Sequence, residues 1–311
     1  MADATPRTFF SGASLVWSRQ RVLWLVYAVN FVLAYVATRG TNERIAAILD
    51  HSLAADQLVH GFNLGAAGSL AMNPEFPFGG SISASLLGAI LFTIFTIFAT
   101  GGILATYYSG QRLHAGAFFE ACGHHFWRFV RLTIYLLLVL IPVFILGGIA
   151  HHVYDRISKQ SISPMPAVHF VEAAAVILLL LICIRVWFDM AQVIAVAEDE
   201  RRMHKALRRA AALLRQNFFS LYWLYLRVSL IAWIVFAAGL HIWMTHLRPE
   251  SILAPFLLSQ FLIIFWQACR LWQRASECIW YREHQRAIAV SGPTYDPPPV
   301  ISQEPLAAPT V

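Results

Sequence analysis

From Ile82 to Tyr107 the chain carries no charged side chain. A helix needs about 20 apolar residues to cross a hydrocarbon core ~30 Å thick. In lipid only helices and closed barrels satisfy their own backbone hydrogen bonds, so this window reads as a membrane helix. Five more windows read alike: Val22–Thr38, Leu132–Ala150, Val171–Ala197, Phe218–His241 and Ile252–Ala268. Only 13% of residues are charged and 58% are hydrophobic, against about 25% charged in a typical soluble domain. The expectation is an all-α membrane protein with six transmembrane helices and amphipathic interfacial helices. Residues 1–288 form one six-span domain, with residues 1–7 disordered. Residues 289–311 form a disordered, Pro-rich cytoplasmic tail. The first window is no cleavable signal peptide, because no small-residue cleavage site follows it.

Lysine and arginine set the orientation. One side of the predicted bundle holds Arg7, Arg19 and Arg21, then Arg112, Arg128 and Arg131. The same side holds six basic residues from Arg201 to Arg215, and Arg270, Arg274, Arg282 and Arg286. The other side holds Arg39, Arg44, Arg156, Lys159 and Arg248, a bias of sixteen to five. Both termini are expected in the cytoplasm of a bacterium, with the chain in its cytoplasmic (inner) membrane. The expected partners are the phospholipid bilayer, anionic lipids at its cytoplasmic face, and a membrane protein that the sequence does not identify. The basic pI of about 9.4 needs no nucleic acid, since positive flanks facing anionic lipid account for it. None of the four cysteines lies in a predicted outer loop, so no disulfide is expected.

The loops carry their own pattern. Residues 39–81 contain Ile45, Ile48, Leu49 and Leu53 at helical spacing, which predicts short amphipathic helices with Thr41 or Asn42 as a cap. The stretch "HAGAFFEACGHHFWRFVRL" gathers Phe118, Phe119, Cys122, Phe126 and Phe129 on one sector and predicts an interfacial helix. "RRMHKALRRAAALLRQNFF" places Met203, Leu207, Ala210 and Leu214 on one stripe and basic residues on another. "FFSGASLVWSRQRVL" at Phe9 and "FFEACGHHFWRFVRL" at Phe118 both run from Phe-Phe through an aromatic to Arg19 or Arg128. The chain can thus be read as three units of interfacial helix plus two-span hairpin. The alternative is that any loop entering a membrane is basic and aromatic.

No catalytic, nucleotide-binding or cofactor motif is present. Glu120 and His124 have i,i+4 spacing, yet a wet helix face carries such residues without a metal, and no metal site or cofactor is assigned. Gly101 and Gly102 read as a close helix contact. Thr93, Thr96 and Thr100 read as hydroxyls bonded to their own helix. Asn30 reads as an interhelical hydrogen bonder, and Pro142 as a kink.

The candidate site is an intramembrane polar cluster of Arg185, Asp189, Gln192 and Arg227. Only twelve residues separate Glu172 from Arg185, about 18 Å of helix, so the fourth span must take Arg185 into the bilayer. Only eleven separate Arg215 from Arg227, with the same result for the fifth span. Arg185, Asp189 and Gln192 share a face. Charges inside a membrane raise a functional hypothesis, against which stand a helix-stapling ion pair and arginine snorkelling.

"HSLAADQLVHGFNL", "TGGILATYYSGQRLHAGAFFEACGHHFWRFVRL" and "WFDMAQVIAVAEDERRMHKALRRAAALLRQNF" resemble a group of uncharacterised bacterial six-span integral membrane proteins. These are broadly similar to the membrane-anchoring regions joined to some glycerophosphodiester phosphodiesterases. The resemblance implies the six-span fold. It implies no phosphodiesterase activity, because no such catalytic domain is present. The function expected is that of a non-enzymatic scaffold or accessory of a membrane complex. The alternative is a small-solute or lipid transporter that uses the charged cluster.

Overall fold

A computed structural model describes residues 4–49, 78–111, 113–158, 165–246 and 253–291. The expected tail from 292 onward and most of the 39–81 loop lie outside the described residues. Among the described residues eight helices follow in order: α1 (Ala4–Ser18), α2 (Gln20–Leu49), α3 (Phe78–Ser109), α4 (Ala115–Ser158), α5 (Met165–Ala197), α6 (Met203–Gln216), α7 (Phe218–Thr245) and α8 (Leu253–Ser291). There is no strand among the described residues. Six of the helices, α2, α3, α4, α5, α7 and α8, are long and apolar enough to cross a membrane. The chain is an all-α, multi-pass membrane protein.

Helix bounds depart from expectation in four places, each a helix that runs further than its expected limit. Helix α1 begins at Ala4, inside the segment expected to be disordered. Helix α2 runs on to Leu49, through Thr41 and Asn42. The interfacial helix expected before the third span is fused with it, so α4 is one 44-residue helix passing through Pro142. Helix α8 continues far past Ala268, to Ser291.

The packing follows a rule. Helix α2 packs on α3, α4 on α5, and α7 on α8, so each odd span leans on the even span that follows it. The three even spans α3, α5 and α8 also pack on one another and form the centre. The basic segment before each odd span packs on the even span that precedes it in cyclic order. Thus α1 lies on α8, the start of α4 on α3, and α6 on α5. This is a three-unit arrangement about a pseudo-axis.

The two ends of the bundle differ. Toward the opposite end large apolar side chains point outward, as in Phe144, Leu178 and Leu257. That is expected where lipid is the solvent. At the basic end the chain packs as densely as a soluble core. Tyr107, Phe129, Met190, Ile194, Leu221 and Tyr281 are all under 3% exposed there. Small residues allow the approach. A Cβ on Gly101 would stand 2.9 Å from Ala121 O, and one on Gly102 would stand 2.6 Å from Cys122 Sγ. The pair is thus a helix contact between α3 and α4.

Candidate functional site

The polar groups of the bundle collect where α5, α7 and α8 meet α3. Helix α5 brings Arg185 and Asp189, one turn apart, with Arg185 Nε 3.6 Å from Asp189 Oδ2. The Arg185 guanidinium lies over the Tyr225 ring of α7, 5.6 Å from its centroid. Gln192 is partly buried one turn on and hydrogen-bonds to neither. Arg227 goes elsewhere. Its guanidinium sits 5.0 Å from the Trp223 ring centroid on its own helix. Among the described residues Asp189 has Arg185 as its ion-pair partner. The structure therefore joins Arg185 to Asp189 and leaves Arg227 and Gln192 out of the pair.

Helix α8 supplies groups that the sequence reading had placed in a wet flank. Gln273 Nε2 donates to Ser229 Oγ at 2.8 Å, and Arg274 Nη1 donates to Thr100 Oγ1 at 2.8 Å. Glu277 is 4% exposed, and neither carboxylate oxygen has a hydrogen-bond partner. The space beside it is walled by Val186, Leu221, Leu224, Tyr225 and Gln273 and holds no room for a water molecule. Nothing in the local charge pattern announced this. The sixth window ended at Ala268, and beyond it the small residues Ala275, Ser276 and Cys278 are all buried. Gly12 of α1 crosses there so closely that a Cβ would overlap the Ser276 side chain and lie 3.1 Å from its backbone nitrogen.

A second feature opens beside this cluster. A slot of about 370 Å³ runs between α2, α3, α7 and α8. Its walls are mostly apolar: Val26, Phe92, Phe95, Phe236, Trp243 and Trp266 among them. Asn30, Thr96, Thr100 and Gln267 add polar atoms, and Arg270 and Arg274 stand at its basic end. The hydroxyls of Thr93, Thr96 and Thr100 are spent on their own helix, donating to Ala89, Phe92 and Thr96 carbonyls. Asn30 does not bridge helices: its Oδ1, like Gln267 Oε1, is buried without a hydrogen-bond partner. The membrane bridge between α2 and α8 is instead Tyr27 to Gln260 Oε1, at 2.8 Å.

The turn from α5 to α6 holds a third cluster. Asp199, at φ 48°, accepts from Arg128 Nη1 at 2.5 Å and lies 3.0 Å from His124 Nε2. Aspartate is one of the few residues that enter this left-handed region. Arg128 and His124 together hold the Asp199 carboxyl down to about 2. Next to it Glu198 binds Arg209 of α6 and accepts from Tyr281 of α8 at 2.7 Å. Donor atoms of His124, His125 and Asp199 lie within 4.8 Å of one another. The Arg128 guanidinium is already seated on that carboxylate, however, and opposes a second cation. The cluster is a clasp between α4, α6 and α8. Glu120 has no part in it.

Comparison with protein-family models, with curated proteins and with solved structures finds no match to this chain.

Proposed function

We propose that the protein is a non-enzymatic scaffold or accessory of a membrane complex in the bacterial cytoplasmic membrane, with both termini and the basic end facing the cytoplasm. One observation carries this reading: outside the slot that ends at Arg270 and Arg274, the polar groups of the bundle are tied to partners or enclosed. Arg185 pairs with Asp189, Gln273 with Ser229, and Arg274 with Thr100. Glu277 adjoins a space too small for water. A pathway for a polar solute needs hydrated room beside its charges, whereas a fixed support needs rigidity. The clasp around Asp199 and Glu198 supplies rigidity by tying α4, α6 and α8 together. The exposed basic face of α6 and the turn before it, with Arg201, Arg202, Lys205 and Arg208, offers a surface to anionic headgroups or to an acidic partner. The resemblance to membrane-anchoring regions is in keeping with a supporting role.

The test is a photo-crosslinking residue at position 205 in cells. A discrete protein adduct that depends on Arg201 and Arg208 supports the scaffold reading. Lipid adducts alone, together with solute flux in proteoliposomes, would replace it with transport. Lipid transport is the second reading, and the slot beside Arg270 is the observation that favours it.

A further inference from the structure

The slot between α2, α3, α7 and α8 combines three features that point to one class of occupant. Its length is that of a lipid leaflet and more. The α8 residues lining it run from Ser259 to Arg274, fifteen residues or about 22 Å of helix. Its polarity is graded. Aromatic and aliphatic side chains wall most of it, while both arginines stand at one end. Arg270 follows Leu253 by seventeen residues, about 26 Å of helix, which brings it to the far edge of a ~30 Å core entered at Leu253. Headgroups begin at that depth.

Its arginines make no direct contact with a carboxylate, although Asp189 and Glu277 lie within electrostatic reach of Arg270 and Arg274. Arg270 has neither a hydrogen bond nor an ion pair among the described residues, and Arg274 has only the neutral Thr100 hydroxyl. Among the described residues no carboxylate lines the slot. Asp189 is taken by Arg185, and Glu277 faces the closed space beside Tyr225. Gln267 Oε1 and Asn30 Oδ1 are buried and unpartnered along the wall. The slot also has a side opening, because α2 and α7 each pack on α8 rather than on one another. A molecule can enter from the bilayer without passing through water.

We propose that this slot is a binding site for one anionic phospholipid, with its phosphate between Arg270 and Arg274 and an acyl chain along Phe92, Phe95, Phe236 and Trp266. The site rests on the chain lying in the bilayer with its basic end at the headgroups, and does not require that it serve as a scaffold. Two arginines presenting planar donors suit a phosphodiester better than a zwitterion whose ammonium they repel.

The test uses the full chain purified in a maltoside detergent. Phosphatidylglycerol or phosphatidylcholine with brominated acyl chains is added, and tryptophan fluorescence is read. Trp243 and Trp266 line the slot, so an acyl chain within it quenches them. The expected result is saturable quenching by the phosphatidylglycerol at fivefold or more lower concentration than by the phosphatidylcholine. Arg270→Gln should remove that preference. Ser259→Phe, which fills the slot, should weaken both lipids and leave the melting temperature in place. Trp243→Phe with Trp266→Phe should remove the saturable quenching. Equal quenching by both lipids in the parent would overturn the proposal. So would loss of preference in Arg227→Gln, whose arginine lies off the slot on Trp223. Inorganic phosphate at millimolar concentration that abolishes quenching by phosphatidylcholine would also overturn it, since the site would then read a free anion. A protein adduct at position 205 is unaffected by any of these outcomes, so the scaffold reading fails or stands separately.

Discussion

Arg19 and Arg128 show how single residues close this fold. Arg19 donates to the Gly110 carbonyl, just beyond the end of α3, and Arg128 donates to Asp199, just beyond the end of α5. Gly110 and Asp199 both have positive φ, 66° and 48°. Each arginine thus holds the left-handed turn that ends the even span of its own unit. The two sequence stretches that looked alike are therefore alike in what they do. The Asp199 anchor has a definite pH dependence. Its carboxyl is held at about 2 by Arg128 and His124, below the ordinary ~3.9. The stabilisation is thus present above about pH 4 and is lost as pH falls through about 2. Asp199 is 59% exposed, so screening keeps the contribution under about 1 kcal/mol. Asp199→Asn should lower the melting temperature at pH 6, and the gap from the parent should narrow toward pH 2 and close below it; a gap unchanged at pH 2 would show the anchor is not ionic. In the bilayer segment, Arg185→Leu and Asp189→Ala should be non-additive by about 0.5–1.5 kcal/mol. Arg227→Leu and Asp189→Ala should simply add, because Arg227 rests on Trp223. Thermal denaturation of the two double-mutant cycles in detergent decides this.

The helices differ in how openly their sequences announce them. Helix α6 is legible because its faces are segregated. Met203, Ala206 and Ala210 are buried and its basic residues are exposed. Residues 199–217 as a peptide should become helical on anionic vesicles and far less so on neutral ones, measured by circular dichroism. Equal helicity on both would remove the electrostatic part of that reading. What was not legible is α6's company. Trp187 of α5 donates to the Leu207 carbonyl at 2.9 Å, so α6 folds back on α5 instead of extending α7. The inner half of α8 was less legible still. Periodicity reports burial only where buried side chains are apolar, and here Gln273, Ser276 and Glu277 are buried beside Cys278 and Tyr281. The site residues Arg270 and Arg274 were therefore counted as solvated flank. Helix α1 depends on this half of α8. Its Trp272 donates to the Phe9 carbonyl at 2.7 Å, and Gly12 abuts Ser276. Gly12→Val should cost about 1–3 kcal/mol through overpacking and release α1. Faster proteolysis near Trp17 with the spans intact would report that release.

Across the whole molecule the asymmetry of charge is the feature on which orientation rests. Reporter fusions at the C-terminus and within residues 201–215 should report cytoplasm, and one near Lys159 the outer side; an outward C-terminus would mean the count of six crossings is wrong. The number of crossings was legible because lipid forces long apolar windows on the chain. The three-unit plan was only hinted at, because it lies in which helix leans on which. Each unit contains two crossings, an even number, so all three enter the bilayer in the same sense. The pseudo-axis therefore stands along the membrane normal, as in parallel repeats, rather than in the membrane plane. Rotation about such an axis carries the basic end onto itself and never onto the opposite face. Such repetition does not by itself generate the two-fold-related inward-open and outward-open states that inverted repeats provide. A motion in keeping with this plan is lateral: one unit swinging away from the next to open a seam toward the lipid.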